Sequence, residues 1–251
     1  TTVELLQNID LSGQKWKSVE VNGSQTTGIG VVTLDGNGHT ITGLNAPLFG
    51  NCGTGSSGIV IKDLTLDQAE ITVDENDASG NVGVGAFIQY AGVADPVKLE
   101  NCKLTNSSVK GGHWAGGLIG YTAGFSESGN GPRASYVTLT NCSVEHSKVE
   151  SKGSVGGLIG HAGGDAWTYG TITGCTVSNC ELTSSGNAQN WRVGELVGTA
   201  GVGQLIVDQA TVDAATNNTL KQEHKQSGEA LEDGLLGRAA LGETGLVIIA
   251  G

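Results

Sequence analysis

Short runs in which apolar and polar residues alternate follow one another along most of the chain. A period of two is that of a half-buried β-strand, and the glycine, asparagine and serine residues between the runs are typical of turns. The predicted strands include Val31–Leu34, Ile59–Leu66, Val97–Leu104, Tyr136–Val144 and Thr171–Val177. The chain is therefore predicted to be all-β, with a short helix or a solvated loop at Lys221–Leu231.

One glycine-bounded apolar motif recurs six times at nearly even spacing. Its copies are Ala46–Gly50, Gly85–Gln89, Gly116–Gly120, Gly156–Gly160, Gly194–Gly198 and Asp233–Gly237. The steps between their last residues are 39, 31, 40, 38 and 39. A fixed period of tens of residues indicates a repeat architecture, in which each unit buries its apolar side only by stacking on the next.

A period of 39 residues holds roughly three short strands with their turns. Three strands per coil, each stacked on its counterpart in the next coil, make a parallel β-helix. We expect about six coils, spaced by the roughly 4.8 Å that separates neighbouring strands. Forty-two glycines and an aromatic content of 4% suit a core of Val, Ile and Leu rungs rather than a bulky globular core.

The repeats extend through most of the sequence, which predicts one β-helix domain over residues 1–251. Within it, residues 31–50 form the first clear coil and residues 51–213 the regular repeats. Residues 214–251 match the repeat loosely and are expected to form an atypical last repeat and a C-terminal cap.

Strand alternation assigns the motif side chains to two faces. Glu195 occupies the position of Gly117 in its copy, and a charged side chain seldom faces a core. The inward column is therefore predicted to be Leu48, Phe87, Leu118, Leu158, Leu196 and Leu235. The outward column is predicted to be Asn51, Tyr90, Tyr121, His161, Thr199 and Arg238.

The chain has five cysteines, an odd number that cannot pair completely within the chain. Cys102 and Cys142 each follow an asparagine and each lie 18 residues before a motif glycine, and Cys175 follows Gly174 at a similar place. We expect these three to stack as a ladder of small, reduced and unreactive side chains.

The charge balance excludes some partners. Thirteen Lys and Arg residues against 25 Asp and Glu residues give a formal net charge of −12. That charge opposes binding to nucleic acid and adsorption to an anionic membrane, and no apolar run approaches the roughly 20 residues of a membrane helix. The five histidines are dispersed without metal-ligand spacing, so neither a metal nor another cofactor is expected. Because the chain begins at Thr1 in a strand-like run, we expect a fragment of a larger protein.

The order of several segments resembles the GLUG-repeat family of bacterial surface proteins. The resemblance rests on Ile9–Gly13, Leu34–Leu44, Leu48–Gly50 and the repeated Asn-Cys and Gly-Gly-Leu-Ile-Gly strands, and it extends to about Asp213. Proteins with these repeats include adhesin-like proteins of gut Bacteroidetes and non-catalytic regions of IgA-cleaving metallopeptidases. The resemblance implies a right-handed β-helix, export and a cell-surface location, and it supplies no catalytic residues.

Aromatic residues suggest where a ligand binds. Tyr90, Tyr121 and His161 hold equivalent positions in three successive repeats, and Trp114 and Trp191 lie near one corner of the coil. Aromatic faces in a groove suit the C–H faces of sugar rings, although rings also cover apolar rungs against water. We therefore expect a non-catalytic adhesin-like, stalk or glycan-binding module, with host or dietary glycans or surface proteins as partners.

The alternative function is a carbohydrate-active β-helix enzyme, either a polysaccharide lyase or a glycoside hydrolase. A glycosidase needs two carboxylates about 5–10 Å apart. Asp63 or Asp67 with Glu100, or Glu145 with Glu181, are the pairs that neighbouring coils are expected to align. Three scattered arginines under a charge of −12 offer little to neutralise an acidic sugar, so the sequence favours the module over the enzyme.

Overall fold

Nearly every strand pairs in parallel with the equivalent strand of the next repeat. A computed structural model describes residues 1–21, 30–52, 58–73, 83–91, 96–122, 135–163, 168–186, 192–201, 203–222, 234–239 and 245–249. Counted over these residues, the first two coils have three strands each. They are β1 (Thr2–Glu4), β2 (Ile9–Asp10) and β3 (Val19–Val21), then β4 (Val32–Asp35), β5 (Thr40–Thr42) and β6 (Phe49–Cys52).

Each of the next four coils has five strands. The third coil contains β7 (Ile59–Lys62), β8 (Thr65–Asp67), β9 (Glu70–Val73), β10 (Gly83–Val84) and β11 (Ile88–Ala91), and the fourth contains β12 (Val97–Glu100), β13 (Lys103–Thr105), β14 (Ser108–Gly111), β15 (Trp114–Gly116) and β16 (Ile119–Thr122). The fifth contains β17 (Ser135–Thr140), β18 (Ser143–Glu145), β19 (Lys148–Ser151), β20 (Ser154–Gly156) and β21 (Ile159–Ala162), and the sixth contains β22 (Thr168–Thr173), β23 (Thr176–Ser178), β24 (Glu181–Ser184), β25 (Val193–Gly194) and β26 (Val197–Ala200).

The seventh coil departs from this order because a helix follows its first strand. It contains β27 (Gly203–Asp208), α1 (Gln209–Asp213), β28 (Ala215–Thr216), β29 (Thr219–Gln222) and β30 (Leu236–Ala239), and β31 (Gly245–Ile249) stacks on β27. Asp208 caps the helix, since its side chain accepts a hydrogen bond from the backbone N–H of Thr211. The predicted helix at Lys221–Leu231 is wrong at its start, where residues 221 and 222 belong to β29, and residues 223–231 lie outside the described part.

Stacking of the coils produces five parallel sheets. In order around a coil they are sheet I (β1-β4-β7-β12-β17-β22-β27-β31), sheet II (β2-β5-β8-β13-β18-β23-β28), sheet III (β9-β14-β19-β24-β29), sheet IV (β10-β15-β20-β25) and sheet V (β3-β6-β11-β16-β21-β26-β30). The predicted parallel β-helix is confirmed. The described part contains seven coils where about six were expected, and each regular coil has five strands where three were expected. The difference arises because corner residues divide predicted runs such as Ile59–Leu66 between sheets I and II, and because short glycine-containing strands form sheet IV.

The two corners are built on left-handed backbone conformations at fixed positions. Asp63, Asn101, Asn141 and Gly174 have φ between 51° and 62° where sheet I turns into sheet II. Gln68, Asn106, His146, Asn179 and Asn217 have φ between 49° and 57° where sheet II turns into sheet III. Asparagine adopts this conformation at less cost than most residues, so the recurrent asparagines mark the corners.

Apolar side chains from all sheets fill the interior. Leu48, Phe87, Leu118, Leu158 and Leu196 are all at most 3% exposed, as the predicted inward column requires, and Leu235 is partly buried. The outward prediction is wrong for Tyr121 and Thr199, which are 7% and 8% exposed. The side chain of Arg238 lies outside the described part.

Close backbone contact between sheets IV and V explains why those two side chains are buried. A Cβ atom added to Gly160 of β21 would lie 2.6 Å from the carbonyl carbon of Ala115 in β15. One added to Gly198 of β26 would lie 2.7 Å from the carbonyl carbon of Val155 in β20. The motif glycines therefore bring two sheets into backbone contact, a use of glycine that a side chain would prevent. Tyr121 and Thr199 lie on the face of sheet V that alternation directs away from the core, and on that face they contact sheet IV instead of solvent.

All five cysteines are free and buried. The backbone N–H of Ser143 bonds to the carbonyl of Cys102, and that of Thr176 bonds to the carbonyl of Cys142, so the three predicted ladder positions occupy one column. The Cys142 thiol donates to the carbonyl of Leu99 in the preceding coil at 3.4 Å. Burial raises the pKa of the Cys52 thiol to about 12 and raises that of Cys180, which disfavours the reactive thiolate.

The glycine contacts predict the effect of a single methyl group. Gly160→Ala should lower the free energy of unfolding by about 3 kcal/mol, the upper end of the overpacking range, because the methyl group would meet fixed backbone atoms. Gly38→Ala is the control: nothing lies within 4 Å of an added Cβ, although the φ of 76° disfavours alanine. That control should lose only about 1 kcal/mol. Urea unfolding compares the variants, and a larger loss for Gly38→Ala would contradict the close-contact explanation.

The cysteine column predicts a simple titration. In denaturant without reductant, all five thiols should react with a thiol reagent, whereas the native protein should react slowly because every thiol is buried. Fewer than five reactive thiols in the denatured protein would mean that a disulfide had formed and that the column is wrong.

Candidate functional site: an aromatic crease

Three of the predicted site residues occupy one column of sheet V. In the parallel register, Tyr90 of β11 pairs with Tyr121 of β16, and Tyr121 pairs with His161 of β21. Their ring centroids are 5.2 Å apart at both steps, with interplanar angles of 27° and 38°. Coil stacking therefore aligns the three rings, as the motif spacing predicted. The column begins at Asn51 and continues to Thr199.

The fourth ring comes from sheet IV. Trp114 in β15 lies 4.7 Å from the Tyr121 ring at an interplanar angle of 18°, and 5.0 Å from the His161 ring. Gly83 of β10, which pairs with Trp114, lies so close to Tyr121 that an added Cβ would be 2.7 Å from the tyrosine Cβ. We name Tyr90, Trp114, Tyr121 and His161 the aromatic crease, since they fill the angle between the two sheets.

The rings of the crease differ in exposure. Tyr121 is 7% exposed because Tyr90, Trp114 and His161 surround it. Tyr90, Trp114 and His161 are half-buried and keep part of their surface in solvent. Tyr121 is therefore a packing residue at the centre of the crease, and a ligand would contact its neighbours.

Burial keeps the crease uncharged at neutral pH. It lowers the pKa of His161 to about 4, so the imidazole is neutral, and it raises the pKa of Tyr90. The Nδ1 atom of His161 is buried without a hydrogen-bond partner among the described residues. A neutral imidazole tolerates that arrangement better than an imidazolium would.

Polar side chains close the two ends of the column. At one end, the Glu20 carboxylate accepts a hydrogen bond of 2.8 Å from the backbone N–H of Asn51, whose side-chain oxygen is buried without a partner in the described part. At the other end, the Thr199 hydroxyl donates to the Ser154 hydroxyl at 2.6 Å. The aromatic surface is thus limited to three coils. Motif spacing placed Asn51 and Thr199 in this column, but it gave no indication of their contacts with Glu20 and Ser154.

Trp191 lies outside the described residues, so its predicted place at the edge of the crease stays a prediction. The role of all five residues in ligand binding also stays a prediction. Sequence spacing placed Trp114 near a corner of the coil without indicating that it stacks on Tyr121. The glycines at Gly116 and Gly120 were the available signal, because they allow the two strands to approach each other.

The carboxylates of the alternative enzyme hypothesis have structural contacts. Asp67 accepts hydrogen bonds from the Thr105 hydroxyl at 2.7 Å and the Asn106 amide at 2.9 Å, and its pKa is lowered because these donors outweigh its desolvation. Glu100 forms an ion pair with Lys98, and Glu181 forms one with Lys221 at 3.1 Å. Asp67, Glu100 and Glu181 therefore have structural contacts within the coils.

The described residues contain neither a candidate metal cluster nor a candidate membrane span. No group of three His, Cys, Asp or Glu side chains within that part is arranged to hold a metal ion. No helix found there has the length and apolarity to cross a membrane.

The fold defines the chain as a parallel β-helix, and known structures include a similar one. No protein-family model matches the chain, and no curated protein matches it. The chain is similar to the crystal structure of a putative immunoglobulin A1 protease from Bacteroides ovatus. The TM-score is 0.54 and the sequence identity is 17%, over 100% of this chain and 77% of that chain. At that identity the similarity shows a shared fold.

This similarity corrects one expectation. The sequence led us to predict that the chain is not an enzyme, and that exclusion is wrong because a protein with this fold is named as a protease. The similarity does not extend to the identity of catalytic residues. The GLUG resemblance itself is unconfirmed, while its implication of a parallel all-β fold is confirmed.

The lowered pKa of the half-buried His161 predicts a pH effect on stability. Because the pKa of His161 is about 4 in the folded protein and ordinarily near 6.5, the unfolded chain binds the extra proton first as the pH falls. The contribution of neutral His161 to the free energy of unfolding is complete above pH 6.5 and is lost as the pH falls towards 4. Between pH 7.5 and pH 5, the wild type should lose about 2 kcal/mol more than His161→Phe, which keeps a ring in the crease.

Urea unfolding at the two pH values measures that difference. His146→Asn is the control, since it replaces a histidine at an exposed corner with a residue that favours the same backbone conformation. It should show the wild-type pH dependence. An equal loss for wild type and His161→Phe would show that His161 is not held neutral by burial.

Proposed function

We propose that this chain is the ligand-binding β-helix of an exported bacterial surface protein and that it binds glycans at the aromatic crease. The observation that carries the proposal is the continuous contact of four rings across three coils, with Tyr90 and Trp114 half-buried at its surface. Tyr and Trp are enriched at binding interfaces, because each combines a large apolar face with a hydrogen-bonding group. The GLUG resemblance supports the surface location.

Because the crease is uncharged at neutral pH, it favours neutral sugars as ligands. His161 is uncharged at neutral pH, and the chain as a whole carries a net charge of −12. An acidic polysaccharide would be repelled by the chain and would find no cation among the four rings. A neutral pyranose needs an apolar face to stack on, and the half-buried rings of Tyr90 and Trp114 provide one.

A binding role fits more than one kind of surface protein. An adhesin holds a glycan for attachment, and a peptidase at the cell surface needs to hold a macromolecular substrate near its catalytic residues. The name of the Bacteroides ovatus protein is compatible with the second setting. In both settings the crease would position a ligand, and the proposal concerns that step.

Trp114 provides the test. On a glycan array, the wild-type protein should bind neutral glycans, and isothermal titration should give affinities that change little with salt, because ring stacking involves no charge. Trp114→Leu should weaken binding about tenfold, because leucine fills space without an aromatic face. Trp114→Phe is the matched variant at the same position and should retain most of the affinity.

Thermal unfolding of both variants separates binding from folding. The two variants should unfold at similar temperatures, since both replace the indole with a smaller apolar side chain. Equal binding by Trp114→Leu and the wild type would refute the crease as the site. A strong decrease of affinity with added salt would refute ring stacking as its basis.

A further inference from the structure

A second aromatic surface lies on sheet I, away from the crease. Strands β17 and β22 repeat the pattern Tyr-x-Thr-x-Thr on adjacent coils, and the parallel register aligns the repeats residue by residue. The alternate residues Val137, Leu139 and Ile172 are at most 1% exposed and face the interior. The other six side chains share the outer face, which we name the Tyr–Thr face: Tyr136, Thr138, Thr140, Tyr169, Thr171 and Thr173.

The tyrosines of this face have a different environment from those of the crease. The Tyr136 and Tyr169 rings are 6.0 Å apart at an interplanar angle of 22°, so they form a ring pair. Tyr136 is 49% exposed, whereas Tyr121 in the crease is 7% exposed. Val137 and Leu139 are buried on the inner side of β17, so they need no cover from Tyr136. Shielding of the core does not explain the ring pair.

The Tyr–Thr face has uncharged side chains in columns where the preceding coils carry charged ones. In the preceding coil, Lys98 and Glu100 occupy the columns of Thr138 and Thr140. One coil earlier, Lys62 stands in the Glu100 column and forms an ion pair of 2.6 Å with Asp35. The column of Thr140 is therefore charged in three successive coils, and the column of Thr138 is charged at Lys98. The fifth and sixth coils carry only Tyr and Thr at the same places.

The coil that follows has Gln204, Ile206 and Asp208 at the alternate positions of its first strand. Gln204 pairs with Tyr169 and Ile206 pairs with Thr171. Asp208 of the same strand caps α1 and also accepts hydrogen bonds from the backbone N–H of Gly174. The uncharged window is therefore two coils deep, with Lys98 and Glu100 at one boundary and Asp208 at the other.

We propose that the Tyr–Thr face is a second binding site, which takes a neutral polysaccharide chain. The exposed ring of Tyr136 offers an apolar platform to the C–H face of a pyranose, and four threonine hydroxyls donate to and accept from sugar hydroxyls. The missing charge selects against uronic acids and other anionic ligands, which the net charge of −12 already repels. Nucleic acid is excluded for the same reason.

This site is independent of the crease, because it lies on sheet I while the crease lies between sheets IV and V. Its residues are on the surface of a regular sheet, so substitutions there should leave folding intact. Each site is therefore testable while the other is preserved.

The experiment measures binding of cellohexaose, mannohexaose and chitohexaose by isothermal titration, with polygalacturonate as the charged comparator. At least one neutral hexasaccharide should bind the wild type, and Tyr136→Ala/Tyr169→Ala should weaken that binding about tenfold or more. Thr138→Val/Thr171→Val removes two hydroxyls while preserving shape and should weaken it about threefold. Both double variants are also made in the Trp114→Leu background, in which the crease is weakened, so the neutral-glycan binding that remains there belongs to the Tyr–Thr face.

Each outcome decides the proposal. Wild-type affinity in the double tyrosine variant, with an unchanged melting temperature, would overturn the site. Absence of binding to all three hexasaccharides, or preference for polygalacturonate, would overturn the ligand class. Unchanged affinity in the double threonine variant would overturn the part assigned to the hydroxyls. Loss of binding in Trp114→Leu but not in the tyrosine variant would place the ligand in the crease alone.

Discussion

The parallel register between coils is the constraint on which the rest of the structure depends. Each strand hydrogen-bonds to its counterpart one coil away, so a residue type that recurs in the sequence becomes a column in space. A slip of one residue would turn every column to the opposite face. The leucine column, the cysteine column, the corner asparagines and the crease all follow from one register. None of them is stable alone, because each ring or side chain is supported by its neighbour in the next coil.

The motif glycines, which the register places in columns, determine how closely sheets IV and V approach each other. Where sheets IV and V meet, the motif glycines allow backbone to contact backbone, and this contact converts an outward strand face into the wall of a crease. Tyr121 is buried for that reason, whereas none of the described sheets covers Tyr136 on sheet I, which remains exposed. Two tyrosines with the same strand alternation thus have different roles, and the difference lies in what packs against the strand.

The sequence predicted the features that depend on period and failed on those that depend on contact between sheets. The parallel β-helix and the alignment of Tyr90, Tyr121 and His161 follow from motif spacing, and the structure has both. The strands of sheet IV were missed because they are two or three residues long and contain glycine, which is a turn signal by propensity. The burial of Tyr121 was missed because alternation cannot reveal a second sheet. The helix α1 has five residues, too few for a helical period.

The two corners fix the length of the segment that joins sheets I and III in the regular coils. Left-handed residues lie five positions apart in successive coils, at 63 and 68, 101 and 106, 141 and 146, and 174 and 179. In the third to sixth coils the segment between sheets I and III therefore has a constant length, while the distance between motif copies ranges from 31 to 40 residues. Within those four coils, variation in length is confined to the remainder of the coil. A gene that gains or loses one complete coil keeps every column in register, so duplication and deletion can change the number of coils without designing a new interface. The β-helix can therefore change in length by whole coils during evolution, while the strand pairing between neighbouring coils stays the same.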